Sequence, residues 1–319
     1  MIENTPTVSV IVPSYNYERF LKARLQSIVD QTYQDMEVIV IDDASTDDSR
    51  SVIESFSHDP RVRAVYCTVN SGSVYQRWNE AAAMARGRYL WFAGADDYCA
   101  PDLVAELLTC LKEQPTVGIA FAQSWFVDER GNRLFLSPTW TRSLTMSGAE
   151  AIRKLVLDTT IANASAVVVR ADLYRDVGGF DTRFRLAADW RFYVDVLARS
   201  DMVYVAKPLN FCRIHSTTVS LIARRGGAEA LERYRLLEDF WKRHSSLSDL
   251  RDEALDREAE RCLLHAANAL RFGEFSAAGK ILSSGAAFDT RHNRRLLRGL
   301  PSLAEATWKK IWRVRKPRA

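Results

Sequence analysis

The chain has 319 residues, 47% of them hydrophobic, and a net charge of +4, material for one large domain and a smaller one. Its five cysteines are odd in number and include no CxxC pair, which argues against a disulfide framework or zinc ribbon and for a reducing compartment. The opening MIENTPT has neither a basic n-region nor an apolar h-region, and the longest apolar runs are strand length, short of the roughly 18–20 residues that span a bilayer; the expectation is a cytoplasmic protein not integral to a membrane.

The first 125 residues alternate strand and helix patterns. Val8 to Val12 reads as a buried strand, short, β-branched and ended by Pro13. A helix follows from about Tyr17, with Asn16 as its N-cap and Phe20, Leu21, Leu25 and Ile28 as its apolar stripe. Met36 to Ile41 is the second strand. Ser45 opens a second helix whose first turn holds Asp47 and Asp48, where the helix dipole favours acids. Val62 to Tyr66 is a third strand, Ser73 to Arg86 a helix closed by Gly87, and Arg88 to Ala93 a fourth strand. Pro101 starts another helix, with Leu103, Leu107 and Leu111 on its buried face, and Val117 to Ala122 is a fifth strand. Such a βαβα series predicts an α/β fold with a parallel sheet and helices on both faces.

Residues 126–145 read as a hairpin-like excursion around Glu129 to Asn132, Ala164 to Val169 as a strand, 187–199 as a helix and Met202 to Ala206 as a late strand. Beyond about Ser220 only helical patterns remain, which predicts two domains, 1–220 and 221–319. In the second, Ala266 to Leu282 has the small-residue spacing of a helical hairpin, compatible with a tetratricopeptide-like unit or with an ordinary bundle. Residues 291–319 hold ten Lys/Arg against one acid, Glu305, so this end carries +9 and the body −5.

Two aspartate pairs stand after apolar strands: Asp42-Asp43 and Asp96-Asp97. On a parallel sheet both leave at the carboxyl edge, where open α/β sheets bind ligands. Clustered carboxylates there point to a nucleotide held with a hard divalent cation. The alternative is strand-end turn chemistry, which Asp also favours. Neither GxGxxG nor GxxxxGK[ST] occurs, so a bound diphosphate would need a cation, and Asp97 is the candidate to offer an oxygen to Mg²⁺ or Mn²⁺.

The stretches VSVIVPSYN (8–16), SIVDQTY (27–33) and EVIVIDDASTD (37–47), then Asn79 and ARGRYLWFAGADD (85–97), then GGFDTRF (178–184) and ADWRF (188–192), come in an order that resembles family 2 glycosyltransferases over about residues 7–220. That resemblance implies a GT-A fold, Rossmann-like with helices flanking a mostly parallel sheet, followed here by a helical extension. It implies a nucleotide-diphosphate-sugar donor with UDP-sugar favoured, Mn²⁺ or Mg²⁺, and inversion at the anomeric carbon. The acceptor it implies is a glycan or lipid-linked hydroxyl in surface polysaccharide or glycolipid synthesis. It places Pro13 and Tyr15 beside the nucleoside, Asp43 on the base, Asn79 and Asp96 near the donor, Asp97 and His215 on the metal, and Asp189 as catalytic base. Arg213, beside His215, is a candidate phosphate partner. One departure is Ala188, where many relatives carry Glu before the base.

The basic end has two readings. Trp308 and Trp312 among Lys and Arg suit an interfacial helix end touching the inner face of the membrane, or the segment is simply a solvated terminus. Nucleic acid is disfavoured because the body is acidic. Two rival functions are a catalytically degenerate glycosyltransferase-like scaffold and a sugar nucleotidyltransferase. The second usually has a glycine-rich loop after its first strand, whereas 13–16 here is PSYN.

Overall fold

Each expected β-branched run contains a strand, but of the run expected over Ala164–Val169 the first three residues form a 3-10 turn and the strand covers Val167–Arg170. The structure, a computed structural model, describes residues 5–137, 140–158, 160–215 and 228–300. The strands are β1 (Val8–Ser14), β2 (Met36–Asp42), β3 (Val62–Tyr66), β4 (Tyr89–Phe92), β5 (Tyr98–Cys99), β6 (Val117–Val127), β7 (Arg133–Leu136), β8 (Leu144–Met146), β9 (Val167–Arg170) and β10 (Asp201–Arg213). They form one sheet of order β3-β2-β1-β4-β9-β6-β10-β5, with β7 on β6 and β8 on β10. The helices are α1 (Glu18–Val29), α2 (Ser49–Glu54), α3 (Val74–Met84), α4 (Leu103–Glu113), α5 (Gly148–Leu157), α6 (Ala171–Asp176), α7 (Ala188–Leu197), α8 (Ala228–Arg243), α9 (Arg251–Arg271) and α10 (Phe275–Ser283). Two units emerge: Met1–Leu155 with Thr159–His215, and Val156–Asp158 with Ser216–Ala319. The domain boundary expected at 220 lies outside the described residues.

The expectation of a parallel sheet holds for β3, β2, β1 and β4, and for β6 with β10. It fails at β9, which runs antiparallel between β4 and β6; a short apolar run carries no sign of its direction. One face packs Val8, Val10, Val12, Val38, Val40 and Trp91 against Leu21, Leu25 and Ile28 of α1, Ile53 of α2 and Leu103, Leu107 and Leu111 of α4. The opposite face builds an aromatic cluster of Trp78, Phe92, Tyr174, Phe180 and Phe192, with ring centroids 4.6 to 6.4 Å apart. Burying such rings is the largest apolar contribution available on that side.

Three local readings are corrected. Asn16 does not cap α1: it sits at φ 58°, and its Oδ1 accepts from Thr46 N at 2.8 Å, tying the loop after β1 to the loop after β2. Ser45, Asp47 and Asp48 precede α2, which begins at Ser49; Asp47 instead accepts from the Glu18 N–H, and Glu18 accepts from the Asp48 N–H. Two helix starts thus satisfy each other's orphan donors. Gly87 is needed for close approach, since a Cβ there would lie 2.5 Å from Ser9 N.

In the second unit α9 and α10 form a hairpin turning at Gly273, φ 75°. Ala254, Ala259, Ala266, Ala269 and Ala278 are buried. Part of the basic end is internal: Arg295 is 3% exposed and pairs with Asp289, Asp256 and Asp252. Residues 301–319, with Trp308 and Trp312, lie outside the described residues. Among the described residues, no helix is long and apolar enough to cross a membrane.

Candidate functional site

Register brings both aspartate pairs to one edge. Ser14 stands opposite Asp42 and Ile11 opposite Phe92, so 42–43 and 93–97 leave the sheet at its carboxyl rim. Pro13 is buried within β1, while Tyr15, just past its end, is 44% exposed. Asp42 does turn chemistry, accepting from Ser45 N at 3.1 Å and Ser45 Oγ at 2.5 Å.

Asp43 is 6% exposed and meets the loop before α3. Its Oδ1 accepts from Ser71 N at 2.9 Å and Arg77 Nε at 2.5 Å, and its Oδ2 from Ser71 Oγ at 2.8 Å. Arg77 also donates to the Val69 carbonyl. Sequence reasoning missed Arg77, which reads there as one charge on an Ala-rich helix.

The second pair divides. Asp96 Oδ2 lies 2.9 Å from His215 Nε2, with the Asp96 side chain 18% exposed and the His215 ring packed against Phe20 at 4.9 Å and Tyr17 at 5.9 Å. Asp97 turns inward and is 3% exposed. Its Oδ1 accepts from Arg213 N at 2.9 Å and its Oδ2 from Asn163 Nδ2 at 2.9 Å. In this arrangement its oxygens meet the His215-bearing segment and the Asn163 turn, and the oxygen beside His215 belongs to Asp96. The turn itself is held by Gly94 N donating to Ser165 Oγ at 2.9 Å.

Arg213, the candidate phosphate partner, lies beneath the same rim. Its guanidinium lies 4.7 Å from the Phe20 ring and 5.3 Å from the Tyr98 ring, and donates to the Asp96, Asp128 and Glu129 carbonyls. It is a buried brace under the rim.

Burial raises Asp97, and the neighbouring Asp96 charge raises it further, to about 6, while buried Arg24 pulls the other way. Its folded value therefore lies above its ordinary 3.8. Between those values the folded chain holds a proton that the unfolded chain has released. Stability from this group is present at the acid end and lost as pH rises through about 6. The thermal midpoint of wild type minus that of Asp97→Asn, without added metal, is expected to fall between about pH 4 and about pH 6.5; a difference that stays constant overturns this account.

Asn79, expected near the donor, donates its Nδ2 to Phe180 O at 2.8 Å, and its Oδ1 accepts from Phe180 N at 2.9 Å and Tyr174 OH at 2.6 Å. It clamps the 178–181 loop to α3, a role set by a partner 101 positions away. Asn79→Ala is expected to lower stability to denaturant by about 2–3 kcal/mol, with donor KM within about twofold. A large KM rise at unchanged stability would restore the donor role.

Asp189 lies in the first turn of α7. Its Oδ1 accepts from Trp190 N at 2.8 Å and Tyr75 OH at 3.2 Å. Arg185, four residues earlier, donates to Gly72 O at 2.8 Å, so this segment adjoins the loop that holds Asp43.

Residues 9–178 match the model of the family described as Glycosyl transferase family 2. A Bacillus subtilis protein named for teichuronic acid biosynthesis, the glycosyltransferase TuaG, is 36% identical over 110 residues, 34% of this chain and 43% of that protein. The chain thus spans less than half of that relative's length. The fold is similar to that of S. aureus TarS 1–349 in complex with UDP-GlcNAc, with TM-score 0.58 at 18% identity over 88% of this chain and 91% of that one. It is also similar to the mannosyltransferase PcManGT from Pyrobaculum calidifontis in complex with GDP-Man and Mn²⁺, with TM-score 0.57 at 20% identity over 97% and 84%. The architecture is therefore GT-A, with helices at the C-terminus.

Proposed function

The chain belongs to glycosyltransferase family 2, and on that premise we propose that it is an inverting, metal-dependent enzyme moving a sugar from a nucleotide-diphosphate donor to a hydroxyl of a glycan or lipid-linked acceptor. The observation that carries this reading is the convergence of Asp96 Oδ2 and His215 Nε2 on the rim that also bears Asp43. UDP-sugars come first as donors, with GDP-sugars second, because TarS and PcManGT are complexed with these classes. The name of TuaG supports a role in surface polysaccharide synthesis.

The residues fit a hard divalent cation. One carboxylate oxygen and one imidazole nitrogen stand 2.9 Å apart, and two neighbouring ligands of an octahedral ion at about 2.1 Å stand about 3 Å apart. Among the described residues there is no group of three or more His, Cys, Asp or Glu that could hold an ion, so donor oxygens would complete the shell. When bound, the ion would neutralise the diphosphate and stabilise it as a leaving group.

The chain's own groups do the rest. Tyr15, exposed at the end of β1, packs beside the nucleoside over buried Pro13. Asp43, fixed by Arg77 and Ser71, presents its carboxylate toward the base. Asp189 takes the proton from the acceptor hydroxyl as that oxygen bonds to the anomeric carbon and the bond from that carbon to the diphosphate oxygen breaks. A single displacement from the opposite side inverts the centre, with no covalent enzyme intermediate.

The deciding experiment is a panel of UDP-, GDP-, CMP- and dTDP-sugars with Mn²⁺ or Mg²⁺, read by thermal stabilisation and slow donor hydrolysis. A saturating cognate donor contributes about 2.7 kcal/mol at a hundred times its Kd, a shift of several degrees. If no nucleotide sugar stabilises the protein with either ion, the proposal fails.

A further inference from the structure

We propose that Tyr75 is a positioning residue for the base Asp189, holding its carboxylate through the hydrogen bond from the phenol to Oδ1. The inference rests on the reading of Asp189 as base. Tyr75 lies in the first turn of α3, is 4% exposed, and its ring is wedged between Trp78 at 5.4 Å and Phe180 at 5.5 Å. Its hydroxyl reaches Asp189 Oδ1 at 3.2 Å, across 114 residues of sequence. A buried tyrosine hydroxyl needs a partner, and here the partner is the Asp189 carboxylate.

The platform under Tyr75 is rigid for stated reasons. Ser73 caps α3 by accepting from Gln76 N. Arg77, two residues beyond Tyr75, grips Asp43, and Asn79, four beyond, clamps Phe180. One short helix therefore ties the loop beneath the nucleoside to the carboxylate facing the acceptor. Oδ1 also accepts from Trp190 N at 2.8 Å. With the Trp190 N–H and the phenol both on Oδ1, the phenol fixes the rotation of the carboxylate about its side chain. Burial, and then the Asp189 charge, push the Tyr75 phenol well above its ordinary value, so it stays a donor throughout the working range. The other phenol whose ionisation feels Asp189 is Tyr193 of α7, also held protonated by burial.

Tyr75→Phe keeps the ring and removes only the donor. It is expected to lower kcat about 5- to 20-fold with donor KM unchanged and the thermal midpoint within about 2 °C. The acid limb of the rate profile is expected to move upward, because a carboxylate that loses a donor is easier to protonate. A merely structural tyrosine would move the midpoint and leave kcat and the acid limb in place, and that result overturns the proposal. Asp189→Asn and the double variant complete the cycle: in the Asp189→Asn background the Tyr75 change is expected to cost nothing further, and additive losses overturn the link. If Asp189→Asn itself stays active, the base reading falls and this inference with it. If Asp189→Asn is inactive while Tyr75→Phe behaves as wild type, only this inference falls.

Discussion

Asp189→Asn is expected to reduce kcat by about 10²- to 10⁴-fold, the usual contribution of a positioned general base, while nucleotide-sugar binding and the thermal midpoint stay near wild type. The amide has nearly the shape of the carboxylate and still offers Oδ1 to Trp190 N and Tyr75 OH, whose bonds hold the residue in place. What it loses is basicity. Transfer assayed under single-turnover conditions separates this from slower product release. Retention of more than about a tenth of wild-type kcat removes Asp189 from the chemistry; retention together with an inert Asp96 would favour a scaffold without catalysis.

The second large effect is expected at the rim. Asp96→Ala should raise the Mn²⁺ concentration needed for half-maximal activity by at least about tenfold and lower kcat/KM by about 10²- to 10³-fold, the scale of a lost ligand to a charge-stabilising ion. His215→Ala should act in the same direction, since its Nε2 faces the same oxygen. The two changes should be far from additive, because each leaves half of a two-sided grip. Titration of Mn²⁺ binding with UDP present measures this directly. Wild-type ion dependence in Asp96→Ala would return the ligand role to Asp97, whose expected signature is otherwise the pH-dependent stability described above.

The sheet's parallel half and its helices were legible because their cause is periodic. Runs such as 36–41 and stripes such as Phe20, Leu21, Leu25 and Ile28 state their burial locally, and the structure buries them. The candidate rim was legible as a place, from acids following strands. Which acid of a pair faces outward was not, because no period governs a turn. Asp97 points inward only because Asn163 and Arg213, 66 and 116 residues later, meet it there. The partner of Asn79, and Tyr75 itself, were hidden for the same reason: Phe180 and Asp189 lie more than 100 positions away. The direction of β9 depends on which neighbours it finds, and its four residues do not encode that.

β9 also has an architectural consequence. Among the described residues it is the sole strand that pairs with both β4 and β6, and so joins the β3-β2-β1-β4 block to the β6-β10 block. Asp43 and Asp96 stand on loops of the first block, whereas α7, which carries Asp189, and His215 follow this seam in the chain. Because β6 precedes this seam in the chain and β10 follows it, the second block is assembled from both sides of Val167–Arg170, and a change in the four residues of β9 is transmitted to both halves of the rim at once.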